Sequence, residues 1–388
     1  MFDVSLLAHN IRSYRRLKGL TQNEIASALF VSPQSVSKWE RGEAVPDVEK
    51  LCGLAKVFNV SLDELFGNTY EQAKSMIAVD GGGSKAEFLL FNSDGEILHR
   101  RVLGGTNPNL YGVDSVVNVL RSGIDEMLRI QPNVKGVFIG SSGFMTGGGE
   151  MVKNALQQAY PQLRIKCTSD MYNGVVSVVG ERPCVASICG TGGIVFSYDK
   201  GEIKRFGGGY GCLFEEAGSG YEIGRRAICV ALKEEDGLGE KSLISELVRE
   251  KVGGSVMENI NKFYKQEFVY SYVASFAPLV CEAYKKGDET AKEILRDNAE
   301  RSAKLINSAC EKFKPQDNLV ALVGSLYHDE SFLGFLKEYL NPELQVKSSD
   351  NPPIYGACLL CCRLCDVDSS ALTERFYEQY QAIRAKGE

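Results

Sequence analysis

Two periodicities divide the chain. Up to residue 67, apolar positions recur every three or four residues; from residue 76 they gather into short runs joined by glycines. In the first stretch Leu6, Leu7, Ile11, Tyr14 and Leu17 share one face of a helix over Ser5–Lys18, which Gly19 stops. Thr21 caps the next helix, Glu24 completes a capping box, and Ile25, Ala26 and Leu29 form its buried side. After a turn at Phe30-Val31, Ser32 caps a third helix with Pro33 at its first position. Val36 and Trp39 face inward there, and Gly42 ends it. Pro46-Asp47 opens a fourth helix, and Ser61–Phe66 make a short fifth. Five short helices with a tight turn between the second and third predict an all-α helix-turn-helix bundle over residues 1–67.

Residues 68–75 are polar and read as a linker. Strands follow at 76–80, 86–91 and 96–103, a helix at 113–130, a strand at 136–139, a helix near 149–160 and a strand at 163–167. Cys184–Cys189 and Ile194–Tyr198 are further strands, and Ser370–Ala385 a last helix. This mixture predicts an α/β fold of two lobes, 76–182 and 183–388, with the last helix packing back across one lobe, the first being the candidate.

The first strand ends in Asp80, then Gly81, Gly82, Gly83, Ser84 and Lys85 lead into a second strand. Phosphate loops that end in a helix N-terminus run strand–glycines–helix. Here the glycines turn a hairpin, and their backbone N–H groups can approach a phosphate with no Cβ in the way. Asp80 at the strand end suits Mg²⁺ held through water. An ordinary hairpin turn would read the same in isolation. The pattern recurs, however, at Gly190-Thr191-Gly192-Gly193, again between two strands. Two such hairpins, one from each half, can pinch a triphosphate between them.

In the first 67 residues the outward face of the third helix carries Gln34, Ser35, Ser37, Lys38 and Arg41, while Arg12, Arg15 and Arg16 lie on the first helix. Gln and Lys read base edges, and Arg holds phosphates. A helical interaction bundle with a solvated polar face is the alternative. The run Leu-Thr-Gln-Asn-Glu-Ile-Ala, followed by Val-Ser-Pro-Gln-Ser-Val-Ser-Lys-Trp-Glu-Arg-Gly, resembles the phage-repressor (Cro/repressor-type, XRE) family. The resemblance places Gln34 and Lys38 at base-contacting positions and Gln22 and Arg41 at phosphate-contacting ones. It also implies DNA binding as a homodimer.

The paired glycine hairpins resemble the actin, heat-shock ATPase and sugar-kinase superfamily. Within it the chain is similar to the N-acetylglucosamine kinase and BadF/BadG/BcrA/BcrD ATPase family. That resemblance implies a two-lobed actin-like (ribonuclease H-like) fold using ATP and Mg²⁺. It makes Asp80–Lys85 and Gly190-Thr191-Gly192 the two phosphate loops. It also puts Asn107 on the sugar, Asp170 at the catalytic base, and Val323-Gly324-Ser325 at the adenosine. Asp170 also suits a helix N-cap, and Asn107 a turn before Pro108. The family's Gly-Asp-Glu before a Gly-Ser pair is replaced by Glu215-Glu216-Ala217, so of its two sugar-lining acids only Glu216 keeps a charge. Loss of the other acceptor puts sugar preference and turnover in question.

Composition narrows the partners. Residues 1–67 balance eight basic against eight acidic side chains, so the net charge of −6 falls on the remainder, a poor nucleic-acid surface. Twelve cysteines, with no secretory leader or apolar span, point to a reducing cytoplasm. Cys358, Cys361, Cys362 and Cys365 invite a metal reading, but four thiols along one helix spread over about 10 Å of rise. Packed helix face is the simpler account. The expected protein is a DNA-binding transcriptional regulator with an ATP- and sugar-binding effector domain. The alternative is a hexosamine kinase with an accessory DNA-binding domain.

Overall fold

The computed structural model describes residues 4–66, 73–211, 214, 218–266 and 269–385. The chain divides into two units, Met1–Lys74 and Ser75–Glu388. In the first, α1 (Val4–Leu17), α2 (Gln22–Ala28), α3 (Pro33–Arg41), α4 (Val48–Phe58) and α5 (Leu62–Phe66) enclose a small core of Leu7, Ile11, Ile25, Val36, Trp39, Leu54 and Phe58. The caps lie where the side chains dictate. Thr21 and Glu24 form the reciprocal capping box, Ser32 accepts from the Ser35 amide, and Asp47 accepts from the Lys50 amide.

The second unit begins with β1 (Ser75–Gly81), β2 (Lys85–Asn92) and β3 (Ile97–Gly104), an antiparallel meander. Next come α6 (Pro108–Tyr111), α7 (Val113–Ile130), β4 (Val134–Ser141), α8 (Gly148–Ala159), β5 (Arg164–Thr168) and α9 (Asp170–Val179). The strand order is β3-β2-β1-β4-β5, with β4 parallel to β1 and β5 parallel to β4. A second meander follows: β6 (Cys184–Cys189), β7 (Gly193–Asp199) and β8 (Glu202–Gly208). Then a helical block intervenes: α10 (Gly220–Glu235), α11 (Leu243–Val252), α12 (Ile260–Tyr264), α13 (Val269–Ala274), α14 (Ala277–Lys285) and α15 (Glu289–Phe313). The unit closes with β9 (Leu319–Val323), α16 (Glu330–Tyr339), β10 (Gln345–Lys347), α17 (Pro353–Leu364) and α18 (Ser370–Ala385). The second sheet runs β10-β9-β6-β7-β8. Each sheet is thus a three-stranded meander extended from its first strand by two parallel strands, so the hairpins β1–β2 and β6–β7 are equivalent.

A continuous core joins the sheets. Met76 and Ala78 of β1, Ala186 of β6 and Phe196 of β7 meet Val175 and Val176 of α9 and Ile354, Cys358 and Cys361 of α17. Helix α17 therefore packs on β1, β4 and α9, although its place in the chain falls within the range expected for the second lobe. Its four cysteines are buried; the Cys361 thiol donates to the Ile77 carbonyl at 3.3 Å, and Cys365 forms the C-cap. Helix α18 lies against β3 and the turn before it. The Ile97 amide donates to Gln379, Gln379 donates to the Gly95 carbonyl, and the Tyr380 hydroxyl donates to Glu87. No described helix is long and apolar enough to cross a membrane.

Candidate functional site

At the first hairpin β1 carries Asp80 and Gly81 to its end, paired with Glu87 and Ala86 of β2. The Gly82 amide donates to the Lys85 carbonyl at 2.8 Å and closes the turn. Gly81 is required by crowding, since a Cβ there would lie 2.1 Å from the Thr106 Oγ1 and 2.6 Å from the Ser141 Oγ. Those two hydroxyls bond each other at 2.8 Å, and the Ser142 amide donates to the Gly81 carbonyl. The Tyr111 hydroxyl holds the Gly83 carbonyl at 2.7 Å. Three neighbouring segments thus brace the loop, while Ser84 and Lys85 remain exposed.

Asp80 is partly buried, and among the described residues its side chain accepts one hydrogen bond, from the Asn173 amide at 2.7 Å. Desolvation pushes its carboxyl up to about 7; the Asn173 bond opposes this, and the nearby Asp170 adds to it. Asp170 is the first residue of α9, while Ser169, not Asp170, is the N-cap. The Ser169 hydroxyl donates to the Asp170 Oδ1 at 3.0 Å. Burial raises the Asp170 carboxyl as well, against that hydrogen bond. Asp80 therefore feels a neighbouring carboxylate, and among the described residues no cationic side chain hydrogen-bonds to either. Such a pair fits a cation or a proton-accepting role. The Ser142 Oγ and Asn173 Oδ1, both buried beside this loop, have no partner among the described residues. That donor set suits a hydrated Mg²⁺ near Asp80.

At the second hairpin the Gly190 amide donates to the Gly192 carbonyl at 3.0 Å. The Gly220 and Tyr221 amides at the start of α10 donate to the Gly190 and Thr191 carbonyls. Gly324 follows β9 with φ +114°, and a Cβ there would stand 2.2 Å from the Cys189 carbonyl oxygen. Only glycine fits at that approach. A cavity of about 740 Å³ opens between Gly190, Thr191, Gly220, Ser325, Pro278 and Asp329. The structure thus brings the second glycine turn and the Gly324 corner to one cavity.

Asn107 caps α6, its Oδ1 accepting from the Asn109 amide at 2.9 Å, and it packs against Gly143. Its hydrogen bond goes to Asn109 rather than to either aspartate. Asn109 and Thr146 bond each other beside it, at 3.0 and 3.2 Å. Glu216, with Glu215 and Ala217, lies outside the described residues. Three residues of this neighbourhood escape a linear reading: Asn173, Asn109 and Thr146. Asn173 had a signal, since it follows Asp170 by three positions and so returns one turn later on the same face of α9.

In the first unit Gln34 and Lys38 are exposed on α3, and Ser37 is partly exposed beside them. Gln22 and Arg15, by contrast, are drawn inward. The Arg15 Nε and the Gln22 amide donate to Glu40 at 2.5 and 2.8 Å. Arg15 was expected to serve phosphates, but here it anchors a buried carboxylate. Burial raises the Glu40 carboxyl, but the bonds from Arg15 and Gln22 outweigh this and leave it below its ordinary range. Arg41 donates to Glu43 at 2.6 and 2.8 Å and to Ser37. Arg12 and Arg16 remain exposed around a shallow recess shared with Ser37 and Arg41.

Comparison with known proteins bears on both units. The model of the BadF/BadG/BcrA/BcrD ATPase family matches residues 77–359, and a helix-turn-helix model matches residues 11–65. An N-acetylmuramic acid/N-acetylglucosamine kinase of Clostridium acetobutylicum is 26% identical over 305 residues, covering 76% of this chain and 100% of that protein. Two solved structures share the fold. One is a ROK family glucokinase of Streptomyces griseus in complex with glucose and AMPPNP, with TM-score 0.52 and 16% identity over 74% of this chain and 99% of that one. The other is a ROK family transcriptional regulator, a homologue of the Escherichia coli Mlc protein. Its TM-score is 0.53, with 12% identity over 96% of this chain and 99% of that one.

Proposed function

The chain belongs to the BadF/BadG/BcrA/BcrD ATPase family, and from that premise we propose that it is a sequence-specific DNA-binding transcriptional regulator. Its family domain would bind ATP with Mg²⁺ and an amino sugar as effectors. The observation that carries this reading is the fusion itself: a helix-turn-helix unit and an ATPase-family unit share one polypeptide. Residues 1–67 form the DNA-binding domain, 76–182 and 183–388 the two lobes. Gln34 and Lys38 would read base edges with Ser37 beside them on the DNA face, and Arg41 and Gln22 would hold phosphates; these two must leave Glu43 and Glu40 to do so. The protein would bind DNA as a homodimer.

In the second unit the backbone of Gly81–Gly83 and Gly190–Gly192 would cradle the phosphates, with Ser84 and Lys85 at the rim. The cavity beside Gly324 would take the adenosine. Asp80 would hold Mg²⁺ through water, and the ion supplies charge neutralisation at the phosphates. Asn107 and Glu216 would bind the sugar. A ligand with different affinities for two states of this unit can shift operator affinity without turnover.

A kinase reading has one specific observation in its favour. Asp170 is half-buried at a helix start, close enough to act on Asp80, and has a raised carboxyl, which suits a general base for a sugar hydroxyl. The relative named above phosphorylates such sugars, as its name states. One experiment separates the readings: incubation with Mg-ATP and N-acetylglucosamine, wild type beside Asp170→Asn, together with operator binding. Turnover abolished by the substitution supports the kinase. A sugar that shifts operator affinity with no phosphorylated product supports the regulator. Operator affinity unchanged on replacing Gln34 and Lys38 by Ala would overturn the DNA-reading assignment.

A further inference from the structure

A second cavity, of about 510 Å³, lies outside the site described above. Both sheets and both connecting helices contribute to its wall. Phe138 comes from β4, Lys166 and Thr168 from β5, and Tyr172 from the first turn of α9. Tyr198, Lys200 and Glu202 come from the β7–β8 hairpin, and Leu360, Arg363 and Leu364 from α17. Its size is that of a small-molecule site.

The lining has two characters. Phe138, Leu360 and Leu364 with the rings of Tyr172 and Tyr198 form an apolar wall, the two phenol rings meeting edge to face at 6.1 Å. Lys166, Lys200 and Arg363 place three cations around it, against Glu202 in the lining and Glu181 beside it. Arg363 is spent on Glu181. Lys166 and Lys200 make no ion pair with any described residue. The balance is positive in a unit that carries the chain's negative excess. The hairpin that presents Lys200 holds it at φ +50°, a conformation that a lysine adopts at a cost.

One further observation points to a ligand. Tyr198 is fully buried, yet its hydroxyl has no hydrogen-bond partner among the described residues. Native folds rarely leave such a group unpaired, and doing so is costly. An acceptor on a bound molecule would satisfy it. The apolar wall, the net positive lining and the orphaned donor together describe one chemistry.

We propose that this cavity is a binding site for a small organic anion. A carboxylate or phosphate head would sit between Lys166 and Lys200, a flat or apolar-faced body against Phe138, Leu360 and Tyr172, and an acceptor on the Tyr198 hydroxyl. The site is separate from the glycine hairpins, and Thr168 and Tyr172 bracket Asp170 two residues away on either side. Because its wall belongs to both sheets, a ligand there would favour one spacing of the two and alter sugar or nucleotide affinity at the glycine hairpins. By linkage, those ligands would alter its own affinity equally.

The test uses the full chain and titration calorimetry with three probes: benzoate, N-acetylglucosamine 6-phosphate and inorganic phosphate. At least one of the two organic anions should bind saturably, and more tightly than inorganic phosphate; which one reports the head group. Lys166→Glu with Lys200→Glu should weaken it by about tenfold or more. Tyr198→Phe should weaken it several-fold with the thermal midpoint unchanged or raised, since the variant removes only the unpaired hydroxyl. Asp170→Asn should leave it intact. The proposal is overturned if neither organic anion binds, if inorganic phosphate binds as well as both, or if reversing both lysines leaves affinity unchanged. Binding lost in Asp170→Asn alone would place the anion in the glycine-hairpin cleft and also overturn it.

Discussion

Replacing Asp80 by Asn should stabilise the ligand-free second unit at pH 8, and by only about a third as much at pH 5. Desolvation carries this carboxyl from its ordinary 3.8 up to about 7, against the Asn173 hydrogen bond and with help from Asp170. The folded-state value is the higher one, so between those limits the folded form holds a proton that the unfolded chain has lost. Stability is therefore greatest below about pH 4 and declines as pH rises through 7. Taken at face value the difference amounts to about 4 kcal/mol. Asp80 keeps some solvent exposure, and screening there reduces the expected effect to about 1–2 kcal/mol. Asn at this position still accepts from Asn173 and carries no charge at either pH. The assay is urea unfolding of wild type and variant at both pH values, without nucleotide or divalent cation. The single tryptophan, Trp39, is in the first unit, so its fluorescence follows that unit and circular dichroism beyond it reports the second. Equal differences at both pH values, or a variant less stable at pH 8, would refute an uncompensated carboxylate at Asp80.

Gly324→Ala should cost about 2–3 kcal/mol and weaken nucleotide binding, because the new Cβ meets the Cys189 carbonyl oxygen at 2.2 Å on a φ of +114°; thermal unfolding and a nucleotide titration check both. Glu40→Ala should destabilise the first unit by about 3 kcal/mol. It strands Arg15, whose side chain is 15% exposed against 5% for Glu40; Trp39 fluorescence in urea reads the loss. In the wild type the same pair holds the Glu40 carboxyl low, so its contribution persists at neutral pH and fades as the carboxylate protonates in acid. Phe30→Gly should stabilise that unit by about 0.5–1 kcal/mol, since φ is +54° and the ring, 93% exposed, loses no burial; a lower urea midpoint would count against it.

The first unit was almost wholly legible. Thr21 with Glu24, Ser32 with Pro33, and Asp47 mark helix starts through hydrogen bonds spanning three residues. Both glycine hairpins were legible for the same reason, since the strands they join are neighbours in sequence. The pairing of Asp80 with Asn173 was not, because it links residues 93 positions apart. Nor was the role of Arg15: on the helix wheel it resembles Arg12 and Arg16, and only the packing of α3 on α1 brings Glu40 to it.

The sequence alone determined local elements, their caps and the repeated hairpin, because periodicity and short-range hydrogen bonds decide these within a few residues. It also supported the family. Tertiary structure alone decided where α17 belongs, since the Cys361 thiol reaches the Ile77 carbonyl across 284 positions. It likewise decided that Asp80 loses water beside Asp170, and that Tyr198 lines a cavity without a partner among the described residues. Burial and desolvation depend on what the whole chain folds around a group, and no local pattern encodes that.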